Sequence, residues 1–422
     1  MEISLTEPSD IVRSRYEALK ARSMRLDISR GKPGPDQLDL VNPMLNILTS
    51  EDYISDSGID CRNYGGIEGI PEMRQIFANI LDVPSSDVII GGNSSLNLMF
   101  DRISDFYSRG VNGYTPWHQQ GNVKFICPVP GYDRHFSICE YFNIQMIPIE
   151  MNENGPDMDT AEKLIQSDPL IKGMWCVPIY SNPTGCVYSD ETIRRIASLK
   201  PKATDFRLFW DNAYPVHNFA EPRPLIRNIL NECEKNGNRD MPLIFASFSK
   251  VSFAGGGVTA IATSDNNRKH ILKQMNVQTV GPDKINQLRH VRFFKNAQGI
   301  YDHMEKMAAV LRPKFETVLT ALEKELTGLS EWSRPNGGYF IHFRAKDNCA
   351  RRIVELCRQA GLVITEAGAV YPYKNDPKDR DLRIAPTFAK IDDLKNAMEI
   401  FCAAVKLSYI EKLESINNST KN

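Results

Sequence analysis

Lys250 closes the segment Phe245–Ala246–Ser247–Phe248–Ser249–Lys250, in which two hydroxyls precede an amine, and Gly255–Gly256–Gly257 follows. The run Leu243–Ala246 is apolar and reads as a buried strand, which delivers the amine to a strand's carboxyl end. An amine placed there suits a Schiff base with an aldehyde cofactor, and the adjacent hydroxyls suit a phosphate. Alone, the pattern also describes a solvated lysine after a strand. Three more polar clusters follow apolar runs in the same manner: Gly91–Ser95, Tyr180–Gly185 and Trp210–Tyr214. Each has an ordinary reading, as a strand-to-helix turn, an Asn–Pro turn or a helix-capping aspartate. Ligands of open α/β sheets gather at the carboxyl ends of strands, and four clusters on one edge exceed what unrelated turns explain.

The elements that must carry these clusters alternate along the chain. Short apolar runs at Val88–Ile90, Lys124–Cys127, Ile144–Ile149, Gly173–Ile179, Leu208–Trp210, Leu243–Ala246 and Val258–Thr263 read as strands. Amphipathic stretches near Ser95–Ser108, Asp133–Phe142, Asp159–Gln166 and Ser189–Leu199 read as helices between them. That order predicts an α/β fold, a mostly parallel sheet with helices on both faces. A helix over Asp10–Met24, capped by Ser9 or Asp10, opens the chain. From about Gly299 a long helix leads to a strand Gly338–Phe343, a helix Cys349–Ala360, a strand Leu382–Ile384 and a helix Ile391–Leu407, a smaller α+β unit, with a polar, frayed tail after Ser415. The expected organisation is an N-terminal segment (1–50) packed with the small domain, a large domain (51–300) and a small C-terminal domain (301–422).

At 422 residues with a net charge of −1, the chain gives no electrostatic reason to expect nucleic acid or an anionic membrane as partner. Its nine cysteines are odd in number and scattered, which fits reduced thiols better than a disulfide framework or a zinc site. The seven histidines form no metal-ligating pattern, and no metal is expected. The first residues have neither a basic start nor an apolar stretch, and no run approaches the roughly 18 apolar residues of a membrane span. A cytoplasmic protein is the expectation.

Asn182–Pro183–Thr184–Gly185, Asp211 with Tyr214, Ser247 with Lys250, and a late Arg383 occur in family order. With them the chain, from about Ile28 to Ala403, resembles a fold-type-I pyridoxal-phosphate (PLP) aminotransferase of class I. Ser29–Pro33, Cys127–Asp133 and Gly281–Gln287 are similar to the divergent bacterial-type aspartate aminotransferase branch, itself similar to the aminotransferase-like halves of certain transcriptional regulators. The resemblance implies PLP held by Lys250 as a Schiff base, with the same amine then moving a proton at the substrate α-carbon. Asp211 would pair with the pyridine nitrogen, Asn182 and Tyr214 with the phenolic oxygen, and Tyr132 would stack on the ring. Ser94, Ser95, Ser247 and Ser249 would serve the phosphate. Tyr64, in Tyr64–Gly69, would reach it from the other subunit of a homodimer with shared active sites. Arg383 would clamp the substrate α-carboxylate and Gly31 would let the backbone approach the substrate.

One position departs from the family. The arginine expected eight residues after the lysine is Val258, which leaves Lys284 or Arg289 as substitute cations for the phosphate. For a second substrate carboxylate the available cations are Arg30, Lys32, Arg134 and Lys284. The reaction implied is ping-pong transfer of an amino group from L-aspartate to 2-oxoglutarate. Alternatives on the same fold are an alanine or aromatic amino-acid aminotransferase and a PLP-dependent lyase. A non-enzymatic PLP-sensing domain would call for a DNA-binding module, for which the roughly 27 residues before the resembling region are too few and too weakly basic.

Overall fold

A computed structural model of the protein describes residues 7–419. The large sheet runs, in spatial order, Val88–Ile90, Thr259–Thr263, Pro242–Ser247, Arg207–Asp211, Ile171–Cys176, Lys124–Val129, Gln145–Asn152 and Gly155–Pro156. Five neighbouring strands, from Pro242–Ser247 to Gln145–Asn152, are parallel. Thr259–Thr263 is antiparallel to both of its neighbours, so Val88–Ile90 again points the same way as the parallel set. All four polar clusters therefore leave the sheet at one edge.

Alternation along each strand explains the layering. Leu208, Trp210, Ile244 and Ala246 enter the core on one face, while Phe209, Leu243 and Phe245 enter the core on the other. Both faces are covered, which is why these strands read as continuous apolar runs rather than alternating ones. Gln145–Asn152, near the edge, buries only Met146 and Ile149 and exposes Gln145, Pro148, Glu150 and Asn152.

A third core lies around the antiparallel sheet Glu331–Trp332, Ile341–Arg344, Asp381–Ile384 and the helices Ala297–Leu326, Ala350–Gln359 and Ile391–Ser419. The opening helix, Ser9–Ala21, buries Val12, Tyr16 and Leu19 in that core, and Leu26–Asp27 pairs in parallel with Leu362–Val363.

Three expectations need correction. The opening helix is preceded by Pro8 rather than capped by Ser9 or Asp10, and no side chain caps it. The last helix runs to Ser419 instead of ending at Leu407. Tyr409 and Ile410 continue its buried stripe, and Glu411 and Glu414 pair with Arg352 and Arg13, at 2.7 and 2.6 Å, beyond it. The strand expected from Gly338 begins at Ile341. Gly338 N–H donates to His217 O at 2.8 Å, and a Cβ on Gly337 would lie 2.3 Å from that same oxygen, so these residues leave the sheet to meet the loop after Tyr214.

Candidate active site

A cavity of about 790 Å³ opens at the carboxyl edge of the large sheet, and its lining includes Gly31, Ser94, Ser95, Tyr132, Asn182, Asp211, Tyr214, Ser247, Ser249, Lys250 and Arg383. Tyr64 lies outside it, with 83% of its surface exposed, as do the two cations Lys284 and Arg289.

Asp211 ends the strand Arg207–Asp211 and is buried to 3% exposure. Its Oδ2 accepts from His135 Nε2 at 3.0 Å, and its Oδ1 has no partner. A carboxylate oxygen buried without a donor is costly, so the geometry holds a free acceptor ready for a cationic N–H. His135 is stacked on Trp175 (4.2 Å between centroids, 5° between planes), which fixes the ring that holds Asp211. His135 is not among the residues expected at the site from sequence. Its signal is its place in the first turn of the helix Asp133–Tyr141, directly after Tyr132.

Lys250 lies half-buried after the strand Pro242–Ser247, its Nζ 4.9 Å from the centre of the Tyr214 ring and 5.7 Å from that of Tyr339. Burial lowers its pKa, Asp211 works against that shift, and Arg383 adds to it. The Tyr214 phenol is pushed well up, first by burial and then by Tyr132 and Asp211, so it stays protonated as a donor. Beneath them His217 is buried between Tyr214 (5.4 Å) and Tyr339 (5.7 Å). The Lys250 backbone lies close enough to favour a proton on this ring, yet neither ring nitrogen completes a well-formed hydrogen bond.

Ser94 precedes the helix Ser95–Arg109, whose first turn has neither a side-chain cap nor an acidic residue. Free N–H groups at such an end suit an anion. Gly91 lets this turn approach the sheet, because a Cβ there would meet Thr259 Oγ1 at 2.7 Å. Ser249 O–H donates to Asn93 O at 2.8 Å, which leaves the 2.7 Å contact between Ser247 and Ser249 for Ser247 to donate. Val258 is buried, and neither substitute cation lines the cavity. Lys284 Nζ donates to Gly65 O at 2.7 Å, and Arg289 bonds Asn286 and lies beside Gly256.

Arg383 arrives from the small antiparallel sheet. Its Nη1 donates to Asp133 Oδ1 at 3.1 Å and Asn182 Oδ1 at 3.3 Å, its Nε to Thr365 Oγ1 at 3.4 Å, and its plane rests on Phe340, 4.8 Å from the ring centre. Asn182 is presented by a turn in which Tyr180 takes a left-handed backbone (φ 49°) and Gly185 N–H donates to Ser181 O at 2.7 Å. At Gly31 a Cβ would lie 2.4 Å from Phe340, so the glycine is needed first for Phe340, which in turn supports Arg383. Asp133, Thr365 and Phe340 line the cavity without having been expected there. Arg30, Lys32 and Arg134 line it too, and Lys284 does not.

No group of three or more potential metal ligands occurs among the described residues, and no helix there is long and apolar enough to cross a membrane.

An aspartate aminotransferase of Corynebacterium glutamicum is 42% identical over 403 residues, covering 95% of this chain and 93% of that protein. The crystal structure of an aspartate transaminase from C. glutamicum superposes with a TM-score of 0.94 at 42% identity, covering 96% of both chains. The α-aminoadipate aminotransferase LysN of Thermus thermophilus, crystallised with N-(5′-phosphopyridoxyl)-L-leucine, shares the fold at a TM-score of 0.74 and 18% identity, over 94% of this chain and 96% of that one. The model of the family described as aspartate amino-transferase matches residues 4–417, and the chain belongs to that family of fold-type-I, PLP-dependent aminotransferases.

Proposed function

We propose that this aminotransferase moves the amino group of L-aspartate to 2-oxoglutarate, giving oxaloacetate and L-glutamate in two half-reactions at one site. The observation that carries the reading is the meeting of Lys250, a buried Asp211 with a free oxygen, and Arg383 in one cavity. The residues fit PLP: Asp211 Oδ1 is an acceptor without a donor, the Tyr214 hydroxyl and Asn182 Nδ2 make no hydrogen bond among the described residues, and an uncapped helix end lies beside Ser94. When bound, PLP supplies an aldehyde for the amine and a ring that accepts electrons.

The chain's own groups account for the rest. Lys250 Nζ, whose pKa burial lowers, carries the proton at the substrate α-carbon. Asp211 Oδ1 holds a ring N–H, with His135 fixing the other oxygen. Tyr214 O–H and Asn182 Nδ2 donate to the phenolic oxygen, and Tyr132, whose ring meets the edge of His135 at 4.9 Å, covers one face. Ser94, Ser95, Ser247, Ser249 and the backbone amides after Gly92 take the phosphate in place of the absent arginine. Arg383 receives the α-carboxylate as a two-pronged donor, over Gly31 and Phe340. Arg30, Lys32 and Arg134 give the cavity mouth the positive charge that a second carboxylate needs.

We infer a homodimer as part of this reading. Tyr64, Val277 and Val280 are exposed to 83%, 89% and 61%, and Gly65 N–H donates to Val280 O, which sets the Tyr64 segment beside Val280. In such a dimer Tyr64 would serve the phosphate of the other subunit. The cytoplasm is the compartment proposed, which suits nine cysteines that are all free.

The deciding experiment is the visible spectrum of PLP-loaded protein, before and after L-aspartate alone, then after 2-oxoglutarate. A band lost on aspartate and regained on the keto acid is expected. A spectrum indifferent to aspartate but responsive to alanine or aromatic amino acids would replace the substrate. Product release without need of a keto acid would indicate a lyase.

A further inference from the structure

The guanidinium of Arg383 already holds a carboxylate. Asp133 Oδ1 accepts from Nη1 at 3.1 Å, and the Asp133 carboxylate has no other hydrogen-bond or ion-pair partner among the described residues. The other acceptors are neutral and better enclosed: Asn182 is 5% exposed and Thr365 8%, and Thr365 O–H is committed to Ser29 O at 2.8 Å. The Asp133 side chain keeps 35% exposure against 8% for Arg383, and both line the cavity. Asp133 sits in the first turn of its helix, where a carboxylate is favoured even without a counter-ion. It therefore loses little on leaving Arg383, whereas Arg383 left alone would be a nearly buried, uncompensated cation.

We propose that Asp133 is an internal stand-in for the substrate α-carboxylate, so that binding exchanges one carboxylate for another at Nη1. The inference rests on the reading of Arg383 as the substrate clamp. Asp133 keeps the guanidinium paired and aimed, with Thr365 and Phe340 holding its plane, and its charge opposes every incoming carboxylate. Only a ligand that returns a full negative charge to Arg383 displaces it, so Asp133 trades affinity for selection against neutral ligands. It is a specificity-determining residue, not one that moves a proton. Because Asp133 follows Tyr132 directly, its release also frees the turn that carries the ring cover.

The test is calorimetric titration of PLP-loaded protein with maleate, an unreactive dicarboxylate. Asp133→Asn keeps the shape and an acceptor for Nη1 but removes the competing charge. Maleate is expected to bind this variant roughly two- to fivefold more tightly than the unaltered protein, the scale of a partly exposed ion pair. If Asp133 only steadies Arg383, the same substitution leaves affinity unchanged or weakens it, and the inference falls. Asp133→Ser, read by the same titration, decides the matter should the asparagine variant fail to fold. Arg383→Ala separates the two claims. Undiminished maleate binding by that variant removes the clamp reading itself, while lost binding there with no gain in Asp133→Asn removes only the stand-in.

Discussion

Asp211, Tyr214 and Lys250 reach the cavity from two neighbouring strands of the large sheet, whereas Gly31, Phe340 and Arg383 reach it from opposite ends of the chain. The first wall leaves hydrogen-bonding capacity unspent: Asp211 Oδ1 has no donor, and the Lys250 amine faces aromatic rings rather than a carboxylate. The second wall spends its capacity internally, with Arg383 bonded to Asp133, Asn182 and Thr365. A wall with open valences is prepared for a group that stays. A wall with exchangeable pairs suits a ligand that comes and goes, because each departure restores an internal partner. The contrast matches a cofactor on one side and a substrate on the other.

The sharpest way to break this comparison is at the first wall. Lys250→Ala should lower kcat by about 10⁴-fold or more, since both the attachment point and the base are lost. The fold should persist, because the amine makes no hydrogen bond among the described residues, and circular dichroism with a melting curve checks that. Measurable turnover in a folded variant would sink the assignment of the lysine. Asp211→Ala comes next, with a loss of about 10²- to 10³-fold in kcat, the usual range for one preorganised electrostatic group. Wild-type kinetics in that variant would mean the orphaned oxygen serves nothing.

The two walls also differ in how far they can be read from the chain. Lys250, Asp211, Asn182 and Ser94 are legible because each follows an apolar run that must be a strand, so the strand's end and the residue's exposure come from one local pattern. The strands themselves are legible for the same reason, and the sheet's one reversed member costs nothing, since Thr259–Thr263 still brings Val88–Ile90 into line. At the second wall Arg383 and Gly31 are legible, but not the contacts that explain them. Phe340 explains Gly31, and Asp133 and Thr365 complete Arg383, but the contacts of Phe340 and Asp133 join segments hundreds of residues apart, Thr365 lies 18 residues before Arg383 on another segment, and none has a local pattern. His135 lies between the cases: the helix was expected, but not the stacking on Trp175 that turns it toward Asp211. Lys284 shows the converse error, a cation offered to the site that folding assigns to the Gly65 carbonyl.

At the second wall the effect should fall on binding. Arg383→Ala should raise KM for the amino acid by roughly 100-fold, as expected for charged hydrogen bonds of about 1.5–3 kcal/mol, with kcat changed less. Arg383→Lys should recover part of that loss, because a single ammonium replaces the charge but not the fork. A fall in kcat with KM unchanged would place Arg383 in the chemistry and erase the division between the walls.

The seam between the walls has its own test, and the smallest effect. His217 lies between Tyr214 of the large sheet's edge and Tyr339 of the loop before the small sheet. Burial, followed by the charge of Lys250, pushes its pKa down to about 3. An unfolded histidine takes up its proton near 6.5, so between those values the unfolded chain binds more protons and the folded state loses stability as pH falls. Above about pH 6.5 the histidine makes no such contribution. His217→Phe fills a similar volume without the ring nitrogens, and should flatten the acid limb by up to about 1.4 kcal/mol per pH unit below 6.5. His290, drawn down to about 4 by burial and bonded to Ser252 and the Asn286 carbonyl, keeps its own share of the slope in that variant. Urea midpoints at pH 7, 6 and 5 separate the outcomes. A difference that grows as pH falls places a neutral imidazole under Lys250, where a second cation would oppose the amine's charge. A difference independent of pH would mean that His217 takes up its proton in the folded protein as readily as in the unfolded chain, and that burial does not hold it neutral.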